Sequence, residues 1–74
     1  MRWTGNKKFK EVITEDGYHL KAEYFQESKY WWIVYKNGKV LYRATDESEY
    51  ASSLQTAQAK AQQRMIKHLK STSN

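Results

Sequence analysis

The sequence predicts an α+β domain: an antiparallel four-stranded meander made of two hairpins, with one C-terminal helix packed on one face. Three observations carry this. Residues 30–45 hold two β-rich runs around a single Asn37-Gly38, a dipeptide suited to the two left-handed positions of a type I′ turn. Residues 8–14 and 18–25 repeat the arrangement around Asp16-Gly17. After residue 50 the chain becomes rich in Ala, Gln and Lys, with neither Pro nor Gly to interrupt a helix.

The second hairpin sets the faces most sharply. A two-residue loop at Asn37-Gly38 pairs Lys36 with Lys39, Tyr35 with Val40, Val34 with Leu41, Ile33 with Tyr42, Trp32 with Arg43 and Trp31 with Ala44. Because side chains alternate along a strand, Trp31, Ile33, Tyr35, Val40, Tyr42 and Ala44 form one face, apolar or aromatic throughout. That face is the expected core. Tyr30, Trp32, Val34, Lys36, Lys39, Leu41 and Arg43 form the other, mixing rings with cations.

In the first hairpin, a two-residue loop pairs Glu15 with Tyr18, Thr14 with His19, Ile13 with Leu20 and Val12 with Lys21. Phe9, Ile13, Leu20, Ala22 and Tyr24 then face the core, with Tyr18 at the edge and Glu11 as an intruder. Lys8, Lys10, Val12, Thr14, His19, Lys21 and Glu23 face outward. A longer loop starting at Thr14 is the competing register.

The remaining segments follow from this frame. Residues 1–7 read as an irregular arm that pins Trp3 against the domain edge, 8–45 as the sheet, and 26–29 as the link between hairpins. Residues 52–70 are the helix and 71–74 its frayed tail. Leu54, Ala57 or Gln58, Ala61, Met65 and Leu69 recur at three- and four-residue steps, the buried stripe of an amphipathic helix. Ser52 or Ser53 caps it, Ser52 with Gln55 forming a capping box, while Asp46 is a competing start. The small Ala57 and Ala61 let the helix approach the sheet, with Phe9, Trp31, Ile33, Tyr35 and Tyr42 supplying volume from below.

Seventy-four residues make one domain with a single core. There is no cysteine, so disulfides, thiolate metal sites and cysteine nucleophiles are excluded, and the two histidines fall on different elements. No metal or cofactor is expected. No apolar run approaches the ~20 residues of a membrane span, and the N-terminus has no signal-peptide core. The expectation is a soluble, cytoplasmic protein.

Nor does a catalytic constellation emerge. The serines fall at capping and tail positions, and the three glycines serve turns rather than a phosphate loop. Thirteen Lys and Arg against eight Asp and Glu leave a formal charge of +5, which favours polyanions as partners. The expected function is non-catalytic nucleic-acid binding, DNA ahead of RNA, through the open sheet face. Lys8, Lys10, Lys21, Lys36 and Lys39 would take phosphates, and Tyr30, Trp32 and Arg43 would meet bases or a groove. A cation–π pair between Trp32 and Arg43 is the structural alternative for those two. The same residue types also make protein hot spots, so an acidic host protein, or a second copy in a homodimer, is the competing partner.

Residues 29–70, an aromatic strand (Tyr30-Trp31-Trp32-Ile33-Val34-Tyr35), a Gly turn, a second strand and an Ala-rich helix, resemble a known arrangement. It is that of the arm-type DNA-binding domains of phage and conjugative-transposon integrases and of the plant AP2 domain. The resemblance implies a sheet laid against the major groove, with Lys21, Trp32, Lys39 and Arg43 in contact. The chain differs in an extra N-terminal strand and few arginines. It is also similar to small phage and prophage proteins built as hairpins plus one helix, some of which bind and inhibit host or defence proteins.

Overall fold

The structure is a computed structural model and describes residues 2–44 and 49–72. Five strands form one antiparallel sheet in sequence order: β1 (Thr4–Gly5), β2 (Phe9–Ile13), β3 (Tyr18–Gln26), β4 (Lys29–Lys36) and β5 (Lys39–Arg43). The helix α1 (Leu54–Thr72) packs across β3 and β4 and touches β2. The α+β class, the meander and the C-terminal helix agree with the sequence. The sheet has five strands rather than four, because part of the expected irregular arm pairs with β2, Thr4 opposite Glu11 and Gly5 opposite Lys10. Gly5 is required there: at φ 141° its Cα lies so near the Phe9 carbonyl that a Cβ would sit 2.1 Å from the oxygen.

In the first hairpin the longer loop is the one adopted. The Gly17 N–H donates to the Thr14 carbonyl at 3.1 Å, and the Thr14 N–H donates to Tyr18 at 2.9 Å. Glu15, Asp16 and Gly17 therefore form a three-residue loop closed by Gly17 at φ 87°. The extra loop residue slips the register by one, so Ile13 pairs with His19 and Val12 with Leu20. A one-residue slip turns a strand over. Val12 is accordingly buried beside Leu20, while Ile13, expected in the core, is 71% exposed and Phe9 shares its side.

The core side of β4 is also the reverse of the expected one. A bulge at Phe25 and the turn at Glu27-Ser28, with Ser28 at φ 59°, set Ala22 opposite Trp32 and Leu20 opposite Val34. Tyr18, Leu20, Ala22, Trp32 and Val34 are all buried beneath α1. Trp31, Ile33 and Tyr35 face the bare side. A second bulge redirects β5: Lys36–Lys39 and Tyr35–Val40 pair as the sequence predicts, but Val34 then meets Tyr42 and Ile33 meets Arg43, leaving Leu41 extra. Tyr42 and Ala44 thus keep their expected core side, and Val40 and Arg43 lie on the bare side. The expected Trp32–Arg43 pair does not form; the Ala44 N–H donates to the Trp32 carbonyl instead, at 3.0 Å.

Helix α1 begins at Leu54 and runs two residues past its expected end, to Thr72. Of the alternative caps, Ser53 serves: its Oγ accepts the Thr56 N–H at 3.1 Å and its carbonyl accepts the Ala57 N–H at 3.0 Å. The alternative start at Asp46 lies outside the described residues. Ala57, Ala61 and Met65 are buried as the stripe predicts. At its end His68, not Leu69, turns inward, its Nδ1 lying 2.7 Å from the Tyr18 hydroxyl. A two-bond bridge between Tyr30 and Ala51, 2.8 and 2.9 Å, ties the segment entering α1 to the start of β4.

The two registers of the first hairpin predict opposite mutational costs. Val12→Ala should destabilise the domain by about 2 kcal/mol, the lost methyl burial plus a residual cavity, in urea unfolding. Ile13→Ala should change stability by less than about 0.5 kcal/mol. The reverse order would restore the two-residue loop.

Candidate functional site

The strand reversals divide the residues expected to bind nucleic acid. Of the eight, only Lys21 and Arg43 lie on the bare face, where the Lys21 Nζ sits 5.4 Å from the Tyr35 ring centroid. Trp32 is 4% exposed, and its indole N–H donates to the Glu49 carbonyl at 2.9 Å. Tyr30 packs edge-on against Tyr24 at 5.6 Å and lies against the core. Both rings are structural. Lys8 sits over Tyr24 at 5.2 Å, and Lys36 sits over Tyr18 at 4.2 Å while donating to the Asp16 carbonyl. Lys10, opposite Ala22, and Lys39, opposite Lys36, share the side that carries the helix. The predicted open-face set is therefore not one surface.

What the bare face presents is a mixed pattern in three cross-strand rows. The first runs Phe9, Glu23, Trp31. The second runs Glu11, Lys21, Ile33, Arg43, and the third Ile13, His19, Tyr35, Val40. Its ionised groups are balanced, Glu11 and Glu23 against Lys21 and Arg43. Two of them are engaged locally: His19 Nε2 lies 2.7 Å from Glu11 Oε1, and the Trp31 indole donates to Glu23 at 3.1 Å. A neutral mosaic of this kind gives little attraction for a polyanion.

The positive charge sits elsewhere. Helix α1 carries Lys60, Arg64, Lys67 and Lys70 and no Asp or Glu, so four of the five excess charges belong to it. The rest of the chain has nine cations against eight anions. Lys60, Arg64 and Lys67 follow one another at helical spacing, and all three line a groove of about 410 Å³ with Gln63, Glu49 and the edge of Trp32. A neighbouring groove of about 320 Å³ continues across β5 past Leu41, Tyr42 and Arg43, and Arg64 lines both. The Arg64 guanidinium is held over the Tyr42 ring at 5.4 Å, a geometry that fixes its direction while leaving its edge donors able to meet a phosphate.

In the sequence Lys67, His68 and Lys70 read as last-turn cations that suit the helix dipole, and Lys60 and Arg64 carried no assignment. The missed signal was the absence of any acid over nineteen residues, together with the 60–64–67 spacing. Which sheet edge the stripe would adjoin depended on the reversed strands.

No group of three or more residues able to hold a metal occurs among the described residues. No helix of the described residues is long and apolar enough to cross a membrane. Comparison with protein-family models, with curated proteins and with solved structures returned no match for this chain.

Arg64→Ala should cost about 0.5–1 kcal/mol through the lost stacking on Tyr42, by urea unfolding. Lys60→Ala, with no ring beneath it, should stay within about 0.5 kcal/mol of the parent chain. Equal costs would mean that Arg64 is not held by the ring.

Proposed function

We propose that this chain is a non-catalytic nucleic-acid-binding domain whose contact surface is the basic flank of α1 and the groove beside β5, in place of the open sheet face. One observation carries the reading: four cations and no acid on one helix, three of them lining a single groove with Gln63, Glu49 and the edge of Trp32. Lys60 and Lys67 stand about 10 Å apart along the axis at the ordinary helical rise, a span that reaches more than one phosphate of a strand. Lysine dominates, so the contacts neutralise the backbone more than they read bases, and DNA and RNA share that chemistry. A sheet-in-groove mode of the integrase kind would draw on Lys21 and Arg43. Two cations beside two acids make that the weaker arrangement.

A second reading is favoured by the apolar rim at Val40 and Leu41, which gives the β5 end of the groove a protein-like surface. There the partner would be an acidic protein that the domain grips and blocks.

Fluorescence anisotropy with duplex DNA, single-stranded DNA and RNA tests the proposal. Three phosphate contacts on a duplex should weaken binding about 40-fold between about 50 and 200 mM salt. Replacing Lys60, Lys67 and Arg64 by Ala should flatten the slope of log affinity against log salt by about 2–3, whereas Lys10→Ala with Lys21→Ala should change it by less than one. Absence of binding at the lower salt, or a slope carried by Lys10 and Lys21, would overturn the assignment. Salt-resistant one-to-one binding to an acidic protein, without affinity for nucleic acid, would establish the second reading.

A further inference from the structure

Apart from Val40 and Arg43 at its β5 edge, which also line the groove, the bare sheet face is not used by the function proposed above, yet it is not built simply for water. Ile13 is 71% exposed and Val40 49% exposed at opposite outer strands of the same row, with the half-buried His19 and Tyr35 between them. Acidic side chains lie on β2 and β3, as Glu11 and Glu23, and the outer cation lies on β5, as Arg43. The distribution is lopsided from edge to edge, and the lopsidedness has a consequence for symmetry.

A two-fold axis lying between two such sheets, parallel to the strands and midway between β3 and β4, exchanges β2 with β5 and β3 with β4. Residues of one row are then carried onto residues of the same row. Glu11 comes over the partner's Arg43, and Ile13 over the partner's Val40. His19 comes over the partner's Tyr35, and Glu23 over the partner's Trp31. The ionic pair Glu11–Arg43 and the apolar pair Ile13–Val40 each form twice, and no two like charges are directly superposed. Only a copy of the same chain supplies that pattern without further requirement.

We infer that the bare face is where a second copy of this chain docks, the two sheets stacking face to face about that axis. Aligned sheets pack about 10 Å apart with a twist of about 30° between them, so the inner rows interdigitate while the outer ones spread. Four strands and five residue levels give a footprint of about 19 by 17 Å, roughly 320 Å² a side and under half of the ~800 Å² a side of a standard specific interface. The association is accordingly weak and reversible. It is held by the exposed Ile13–Val40 pairs and oriented by Glu11 and Arg43, and Ile33, already 4% exposed in one copy, contributes little new burial.

Sedimentation equilibrium of the full chain, over about 10 µM to 1 mM at moderate salt, should show one monomer–dimer transition, as expected for a low-area interface. Arg43→Glu sets like charges against each other and should weaken dimerisation at least about tenfold. Combining it with Glu11→Arg exchanges the two charges and should return the constant to within about threefold of the parent. Ile13→Lys, at a position 71% exposed, should weaken the dimer independently. Circular dichroism on each variant confirms that the sheet is intact. A chain that stays monomeric to 1 mM overturns the inference, whether the face is bare or meets an unlike protein. So does a dimer indifferent to Arg43→Glu and Ile13→Lys, or one that the charge exchange fails to restore. Because mass is the readout, the result is independent of nucleic-acid affinity.

Discussion

Trp32 beneath α1 is the interaction on which the rest of the structure depends. Its ring is buried in one cluster with Leu20, Ala22, Val34, Ala57 and Ala61, and its indole N–H is satisfied by the Glu49 carbonyl. A tryptophan removes some 150–250 Å² from water, more than any other side chain can, and a core this small has few alternatives. The ring shares its cluster with the small Ala57 and Ala61 of α1, and Ala22 of β3 is its cross-strand neighbour. Once Trp32 faces the helix, alternation along β4 sends Trp31, Ile33 and Tyr35 to the opposite side. The surface chemistry on both faces follows from that choice.

Most of the architecture was legible in the sequence. Asn37-Gly38 fixed its turn, with Asn37 at φ 51° and Gly38 at φ 84°, and the alanine-rich stretch gave α1 and three of its buried positions. The faces were harder, because each depends on a single residue of register. Asp16-Gly17 fits a two-residue loop as well as the last two positions of a three-residue one, and the structure takes the latter. Bulges at Phe25 and Leu41 leave no mark in a hydrophobic pattern, yet each changes which residues of paired strands share a face. The purely apolar set Trp31, Ile33, Tyr35 also imitates a core stripe. In the structure they lie on the bare face, where the Lys21 side chain runs over the Tyr35 ring, as a long aliphatic stem along a sheet can.

The candidate site inherits those reversals. Trp32 and Tyr30 looked available for stacking on bases only while β4 was read with its other side to the core. Arg43 and Lys21 kept their place and lost their company. The charge concentrated on α1 needs no register to be seen, since it is a property of one uninterrupted helix. Its position beside β5 rather than β2 is what the fold adds, and that neighbour supplies Tyr42 under Arg64. The outcome is a domain with two unlike faces, one positively charged along a helix and groove, the other neutral and patterned. If two copies meet through the neutral face, their basic helices point away from each other. A single nucleic-acid chain, or two, would then be held at twofold valency.

On the proposed reading, the basic groove between α1 and β5, not the sheet face, meets nucleic acid. An amide-resolved NMR titration with a short duplex at low salt tests it most directly. Shift changes should concentrate at residues 60–67 and 40–43, with residues 19–23 and 33–35 left largely unmoved. Changes centred on Lys21, Trp31, Ile33 and Tyr35, with α1 silent, would contradict it and return the binding surface to the sheet.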